Sequence, residues 1–147
     1  MPTTSEPFSS RALTVDTSRF PLIVLTVRGQ CTLEDIDRAM TELAGAVPDA
    51  DRGIGVLFDT RGMVTSSFTA RHRKAVADGL RRHREVTPRV RYANALVLKD
   101  ALVRGIVTAI MWVSASRGET LICANAADGE AFLREFLGRD GRKRAAR

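Results

Sequence analysis

Residues 94–113, NALVLKDALVRGIVTAIMWV, decide the fold class of this chain. The apolar run up to Leu98 is typical of a buried strand, and the Lys-Asp pair that follows ends it. The next residues repeat apolar side chains at helical spacing, with Arg104, Thr108 and Trp112 at four-residue intervals. A strand that passes directly into an amphipathic helix predicts an α/β domain.

The rest of the chain continues this alternation. Short apolar runs predict strands at residues 11–16, 22–27, 54–58, 90–98 and 120–123. Helical periodicity and capping residues predict helices at residues 33–47, 68–86, 100–114 and 126–137. The resulting order, ββαβαβαβα, predicts a single-domain, layered α/β fold with four helices and a mixed five-stranded sheet. We expect an antiparallel opening hairpin with its loop at residues 17–21, followed by parallel strands.

Composition is that of one ordinary globular domain, with 147 residues of which 44% are hydrophobic. We assign residues 11–137 to the domain, 1–10 to a disordered N-terminus, and 138–147 to a basic flexible tail after two helix-breaking glycines. No apolar run is long enough to cross a membrane and no secretory signal pattern is present, which predicts a cytoplasmic, bacterial-type protein. Cys31 and Cys123 fit no metal-binding spacing, so we expect reduced thiols and no cofactor.

Positive charge is concentrated between Arg71 and Arg91, where eight Lys or Arg residues stand against two acids. Such a segment is either a solvated basic face or a surface for nucleic acid. The chain has one Trp, one Tyr and six Phe, and none of them alternate with these basic residues as base-stacking side chains would. A solvated face is therefore the prediction, and nucleic acid is not an expected partner.

Enzymatic signatures are missing from the sequence, which has no nucleophile elbow, phosphate-binding loop or zinc-protease motif. His72 and His83 lie eleven residues apart on one predicted helix, about 16 Å along its axis, which is too far to share a metal. We interpret both as polar residues at the rim of the core. Asp59 ends a predicted strand, where α/β proteins often keep catalytic groups, but the sequence offers it no base, nucleophile or metal ligand as a partner. We predict a non-enzymatic protein with neither a catalytic residue nor a metal site.

Two local patterns accompany the predicted order of elements. The first is hydrophobic-Asp-x-x-Gly at residues 58–62, followed by hydroxyl residues. The second is R-G-x-x-T-A-x-x-W at residues 104–112, followed by a strand and a closing helix that contains Ala131 and Phe132. Together they resemble the STAS fold of anti-anti-sigma factors over residues 11–137, and more closely the SpoIIAA-like branch that borders on the CRAL-TRIO lipid-binding proteins.

The STAS resemblance implies a regulatory, protein-interaction module whose partner is a kinase-type anti-sigma regulator. Its switch would be Ser67 or Ser66, at the position of the phosphorylated serine. The residues of the partner-binding loop would be Asp59, Gly62, Thr65 and Phe68. Here Thr65 and Phe68 replace the Asp and Gly that flank the family's serine pair. From the residues alone, an N-terminal helix cap at Ser66 or Ser67 is favoured over a switch, and both stay open.

The CRAL-TRIO side of the resemblance implies the alternative function, a carrier for a small molecule or lipid. Its apolar pocket would lie between the helix at residues 100–114 and the sheet, with Arg104, Thr108 and Trp112 as candidate ligand contacts. The same three side chains are also compatible with core packing, since a Trp in an apolar helix often fills a core. The sequence leaves open which function holds and whether the chain forms a homodimer.

Overall fold

The computed structural model describes residues 12–99 and 118–147. Five strands form one sheet in the order of the chain. They are β1 (Leu13–Arg19), β2 (Leu22–Gly29), β3 (Arg52–Met63), β4 (Val90–Val97) and β5 (Gly118–Cys123). The described helices are α1 (Leu33–Ala46), α2 (Ala70–Val86) and α3 (Ala126–Ala145).

The strand directions within the sheet are as the sequence predicted. β1 runs antiparallel to β2, whereas the pairs β2–β3, β3–β4 and β4–β5 are parallel. The α/β class and the mixed five-stranded sheet are therefore confirmed. The described part of the chain contains three α-helices instead of the four predicted. The predicted helix at residues 100–114, with Arg104, Thr108 and Trp112, lies outside the described residues.

Helices cover both faces of the sheet. In β2, Ile23 and Leu25 pack in a cluster with Leu43 of α1, while the intervening Val24 packs in a cluster with Leu133 of α3. Because neighbouring residues of a strand point to opposite faces, α1 and α3 lie on opposite sides of the sheet. Val76 and Ala77 of α2 pack with Ala39 and Met40 of α1. We call the side that carries α1 and α2 the α1–α2 face.

Helix α1 begins where its sequence predicts. The Thr32 hydroxyl accepts a hydrogen bond from the Asp35 N–H at 3.0 Å, and the Asp35 carboxylate accepts one from the Thr32 N–H at 2.9 Å. This reciprocal capping box satisfies two of the free N–H groups at the helix start. The buried residues of α1 include Ile36, Met40 and Leu43, which follow the helical repeat.

Helices α1 and α2 approach closely at Gly79. A Cβ atom at this position would lie 2.6 Å from Met40 Cγ, so a larger residue would force the side chain of Met40 to move. The glycine weakens the intrinsic stability of α2, but it permits this contact between the helices.

The last helix does not end at residue 137 as predicted, because α3 continues through Gly138 and Gly141 to Ala145. Asp140 is only 5% exposed and accepts a 2.7 Å hydrogen bond from the Gly53 N–H of β3. It also forms ion pairs with Arg91 at 2.6 Å and Arg144 at 3.1 Å. These contacts with the sheet offset the low helix propensity of glycine, and most of the basic segment predicted to be a tail is helical.

The opening hairpin is tighter than predicted. β1 continues to Arg19 with a register irregularity after Asp16, which leaves only Phe20 and Pro21 between the strands. The Arg52 guanidinium lies over the Phe20 ring at 4.7 Å from its centroid. This contact between β3 and the hairpin turn is not encoded in the local sequence of either segment.

Candidate functional site

The predicted partner-binding loop is divided between a strand and a turn. β3 runs to Met63 because Gly62 and Met63 pair with Arg28 and Gly29 of β2, so Asp59 and Gly62 belong to the strand. A Cβ atom at Gly62 would lie 3.2 Å from the Val27 carbonyl oxygen. The glycine therefore permits close backbone contact within the sheet, and the prediction that this strand ends at Asp59 was wrong.

Asp59 forms an ion pair with its neighbour Arg61. The Arg61 Nε and Nη2 atoms donate to the two carboxylate oxygens at 3.0 and 2.8 Å. These hydrogen bonds hold the pKa of Asp59 below its ordinary value. Asp59 is thus a partly exposed carboxylate that is ionised at neutral pH and held by a local cation.

Ser66 and Ser67 do not cap α2. Residues Thr65–Ser67 form a short 3₁₀ turn, and the Ser67 hydroxyl donates to the Val64 carbonyl at 2.7 Å. Helix α2 begins at Ala70 with Thr69 as its N-cap, and the Thr69 N–H donates to His72 Nδ1 at 3.2 Å. The alternative in which Ser66 or Ser67 caps this helix is therefore wrong. The Val64 N–H donates to the Gly29 carbonyl at 2.9 Å, which attaches the turn to β2.

Phe68, the last residue of the predicted loop, lines an apolar pocket on the α1–α2 face. The pocket has a cavity volume of about 70 Å³ and is open to solvent on one side. Its described walls come from α1, α2 and the strands beneath them. Apolar residues make up most of these walls, namely Leu13, Val27, Ile36, Leu43, Val56, Phe58, Met63, Phe68, Val76, Leu80 and Leu96.

A chain of hydrogen-bonded, buried polar groups includes two residues of the pocket wall, His83 and Tyr92. The Thr87 hydroxyl lies 2.8 Å from the His83 carbonyl oxygen and 2.9 Å from the Tyr92 hydroxyl. The Tyr92 hydroxyl in turn lies 2.8 Å from His83 Nε2. His83 is 5% exposed, so the prediction that it lies at the rim of the core was wrong.

Two polar atoms in the pocket wall have no hydrogen-bond partner among the described residues. They are His83 Nδ1 and Asn94 Nδ2; both atoms are buried and belong to residues that line the pocket. Burial, assisted by the nearby Arg84 charge, lowers the pKa of His83, so its ring is neutral at physiological pH. Burial also raises the pKa of Tyr92, which keeps the phenol protonated. Three polar residues of the pocket wall, His83, Tyr92 and Asn94, are therefore uncharged, and Arg84 beside them is charged.

Val76, Leu80 and His83 lie at helical spacing in the sequence, which is the signal that could have shown His83 to face the core. It gave no indication of the pocket itself, which requires β3, β4 and α1 to be brought together. Arg104, Thr108 and Trp112 lie outside the described residues, so their relation to this pocket is not described.

Several basic residues of the segment Arg71–Arg91 have acidic neighbours. Lys74 and Arg81 both pair with Asp78, at 2.6 and 3.1 Å. Arg89 pairs with Asp49, and Arg91 with Asp51 and Asp140. These ion pairs reduce the net positive potential of the segment, although Arg71 and Arg82 remain exposed.

Within residues 12–99 and 118–147, no group of three His, Cys, Asp or Glu side chains is placed to hold a metal ion. Cys31 and Cys123 are buried free thiols, and burial raises the pKa of Cys31 to about 11. In the same part of the chain, no helix has both the length and the apolar character needed to cross a membrane. Thiolate chemistry at Cys31 is therefore disfavoured at neutral pH.

Comparisons of this chain with protein-family models, with curated proteins and with solved structures give no match. The two candidate sites, the pocket on the α1–α2 face and the turn at Thr65–Ser67, are therefore interpreted from their own geometry.

Proposed function

We propose that this protein binds a small, predominantly apolar molecule in the pocket on the α1–α2 face. The observation that carries this proposal is an open, mostly apolar pocket with a few buried polar groups in one wall. Ligand sites commonly combine apolar walls, which supply affinity, with a few polar groups that fix orientation.

Packing energetics support this assignment. Protein interiors are packed as densely as organic crystals, and an apolar cavity left unfilled costs stability in proportion to its volume. Apolar walls also exclude water, because a buried water molecule needs two to four polar partners. An apolar ligand would recover the lost dispersion contacts and cover the exposed apolar surface.

The test combines native mass spectrometry of the purified protein with titration of N-phenyl-1-naphthylamine, an uncharged fluorescent probe. We expect micromolar or tighter binding to the wild type. Leu80→Trp, which places an indole in the pocket, should weaken binding at least tenfold. Val86→Trp is the matched control, since Val86 is on the same helix but 65% exposed and outside the pocket wall.

A wild type that carries no organic ligand and binds no probe would overturn the proposal.

The second candidate function is the protein-interaction module that the STAS resemblance implies. Exposure at the turn favours it, because Val64 is 40% exposed and Ser66, two residues further along the chain, is exposed as well. An apolar side chain beside a modifiable hydroxyl suits a regulated contact with another protein. Val64→Asp should then abolish recovery of a partner from native lysate, while Val86→Asp should not. Recovery of the same proteins by both variants would eliminate the turn as the contact.

A further inference from the structure

We infer that the ligand of this pocket carries a hydrogen-bond donor, most simply a hydroxyl group, that binds His83 Nδ1. The inference rests on the proposed ligand-binding function and deepens it by naming the chemistry of the ligand. It concerns a histidine that is almost wholly buried and contributes to the pocket wall.

The first step fixes which ring nitrogen of His83 carries the hydrogen. The Thr87 hydroxyl has one hydrogen, and the His83 carbonyl at 2.8 Å can only accept. Thr87 therefore donates to that carbonyl and must accept from the Tyr92 hydroxyl at 2.9 Å. Since the Tyr92 hydrogen is used in this way, the Tyr92 oxygen accepts the 2.8 Å hydrogen bond from His83 Nε2–H.

The second step follows from the neutral ring. A neutral imidazole carries one hydrogen, so Nε2–H leaves Nδ1 with a free lone pair that accepts and cannot donate. Nδ1 is buried without a partner among the described residues. A buried acceptor left unpaired is costly, and a ligand that supplies a donor removes that cost.

The third step separates classes of ligand. A pure hydrocarbon would fill the pocket but leave Nδ1 unpaired, and an ether or ketone would bring a second acceptor towards it. A hydroxyl group donates to Nδ1 and can also accept, which suits the buried Asn94 Nδ2 in the same pocket wall. The shared chemistry is therefore that of an apolar alcohol or phenol.

Three probes of nearly equal shape test this directly. 2-Naphthol can donate and accept, 2-methoxynaphthalene can only accept, and 2-methylnaphthalene does neither. For the wild type we expect 2-naphthol to bind about three- to tenfold more tightly than either of the others, the ratio that one neutral hydrogen bond gives. In protein labelled with ¹⁵N-histidine, the Nδ1 resonance of His83 should shift with 2-naphthol alone.

Two variants test whether the preference for 2-naphthol depends on the His83 imidazole. His83→Phe keeps an aromatic ring in place and should bind all three probes with similar affinity. Tyr92→Phe removes the acceptor of Nε2–H, so the ring hydrogen is no longer fixed on Nε2 and can move to Nδ1. This variant should show a reduced preference for 2-naphthol. If His83→Phe fails to fold, Tyr92→Phe and the ¹⁵N measurement on the wild type still decide the question.

The outcomes separate this inference from the function on which it rests. If all three probes bind the wild type equally, the role of His83 is wrong and the apolar pocket remains a binding site. If the preference survives in His83→Phe, the donor is recognised by another group and the inference is wrong. If no probe binds, the proposed function is overturned together with this inference.

Discussion

His83 shows how the environment of a single residue determines its chemistry. It is one of two histidines in the chain. The other, His72, accepts the Thr69 N–H in the first turn of α2, whereas His83 is packed against Tyr92 and Thr87. The ring centroids of His83 and Tyr92 are 5.7 Å apart in an edge-on arrangement. Burial in this setting favours the neutral ring, and the adjacent Arg84 charge adds to the effect.

This burial makes stability depend on pH. The pKa of His83 is lowered in the folded protein from an ordinary value of 6.5, so the unfolded chain binds the proton more readily. The contribution of His83 to stability is therefore complete above pH 6.5 and is lost as the pH falls towards its folded pKa. We expect urea unfolding between pH 7.5 and 5.5 to show a smaller decrease in stability for His83→Phe than for the wild type. An equal decrease in both proteins would contradict this expectation.

Helix α3 illustrates how an element is extended by contacts outside itself. Its N-terminus is encoded locally, since the Asn125 side chain accepts the Asp128 N–H at 2.9 Å. Its C-terminal turns instead depend on Asp140, which contacts Gly53 and Arg91 on the sheet. Burial alone would raise the pKa of Asp140, but hydrogen bonds from Arg91 and the Gly53 N–H lower it overall. The carboxylate is therefore charged when it fixes the helix to the sheet.

Asp140→Ala should accordingly destabilise the protein by about 2–3 kcal/mol, because it removes charge-assisted hydrogen bonds and leaves the buried Gly53 N–H unpaired. The substitution should increase the rate of amide hydrogen exchange more in residues 138–145 than in the first turns of α3. Asp51→Ala is the matched control, since Asp51 also pairs with Arg91 but is exposed, and we expect little change. Equal effects of the two substitutions would show that Asp140 does not anchor the helix.

At the scale of the whole molecule, the two faces of the sheet are packed differently. The α3 face is closely fitted, since a Cβ atom at Gly129 would lie 2.7 Å from Leu57 Cδ1 and one at Gly55 would lie 3.3 Å from Leu133 Cβ. The α1–α2 face contains the apolar pocket. Ligand chemistry is therefore expected on the α1–α2 face, and the α3 face stabilises the fold.

The basic segment of α2 and β4 should interact only weakly with nucleic acid. Because several of its cations already pair with acids, we expect random DNA or RNA to bind with a Kd of about 10⁻⁴–10⁻⁶ M at physiological salt, the range of non-specific contacts. Fluorescence anisotropy should show this binding disappear steeply as salt rises. Sequence-selective binding that persists at high salt would instead make nucleic acid a specific partner.

The sequence by itself determined the α/β class, the order of the described strands along the chain, their parallel or antiparallel direction and the start of α1. Each of these depends on local patterns, namely apolar periodicity, capping residues and the spacing of strands and helices. The candidate site was only partly predictable: Phe68 was identified, but with the role of a partner contact, and the burial of His83 was missed.

Only the tertiary structure decided the end of β3 at Met63, the start of α2 at Ala70 and the extension of α3 to Ala145. It also decided the apolar pocket and the contact of His83 Nε2 with the Tyr92 hydroxyl. The physical reason is the separation in sequence of the groups that make contact, such as Asp140 and Gly53, which lie 87 residues apart. Local propensity contains no information about such contacts, whereas the free energy of a buried hydrogen bond or ion pair is large enough to override it.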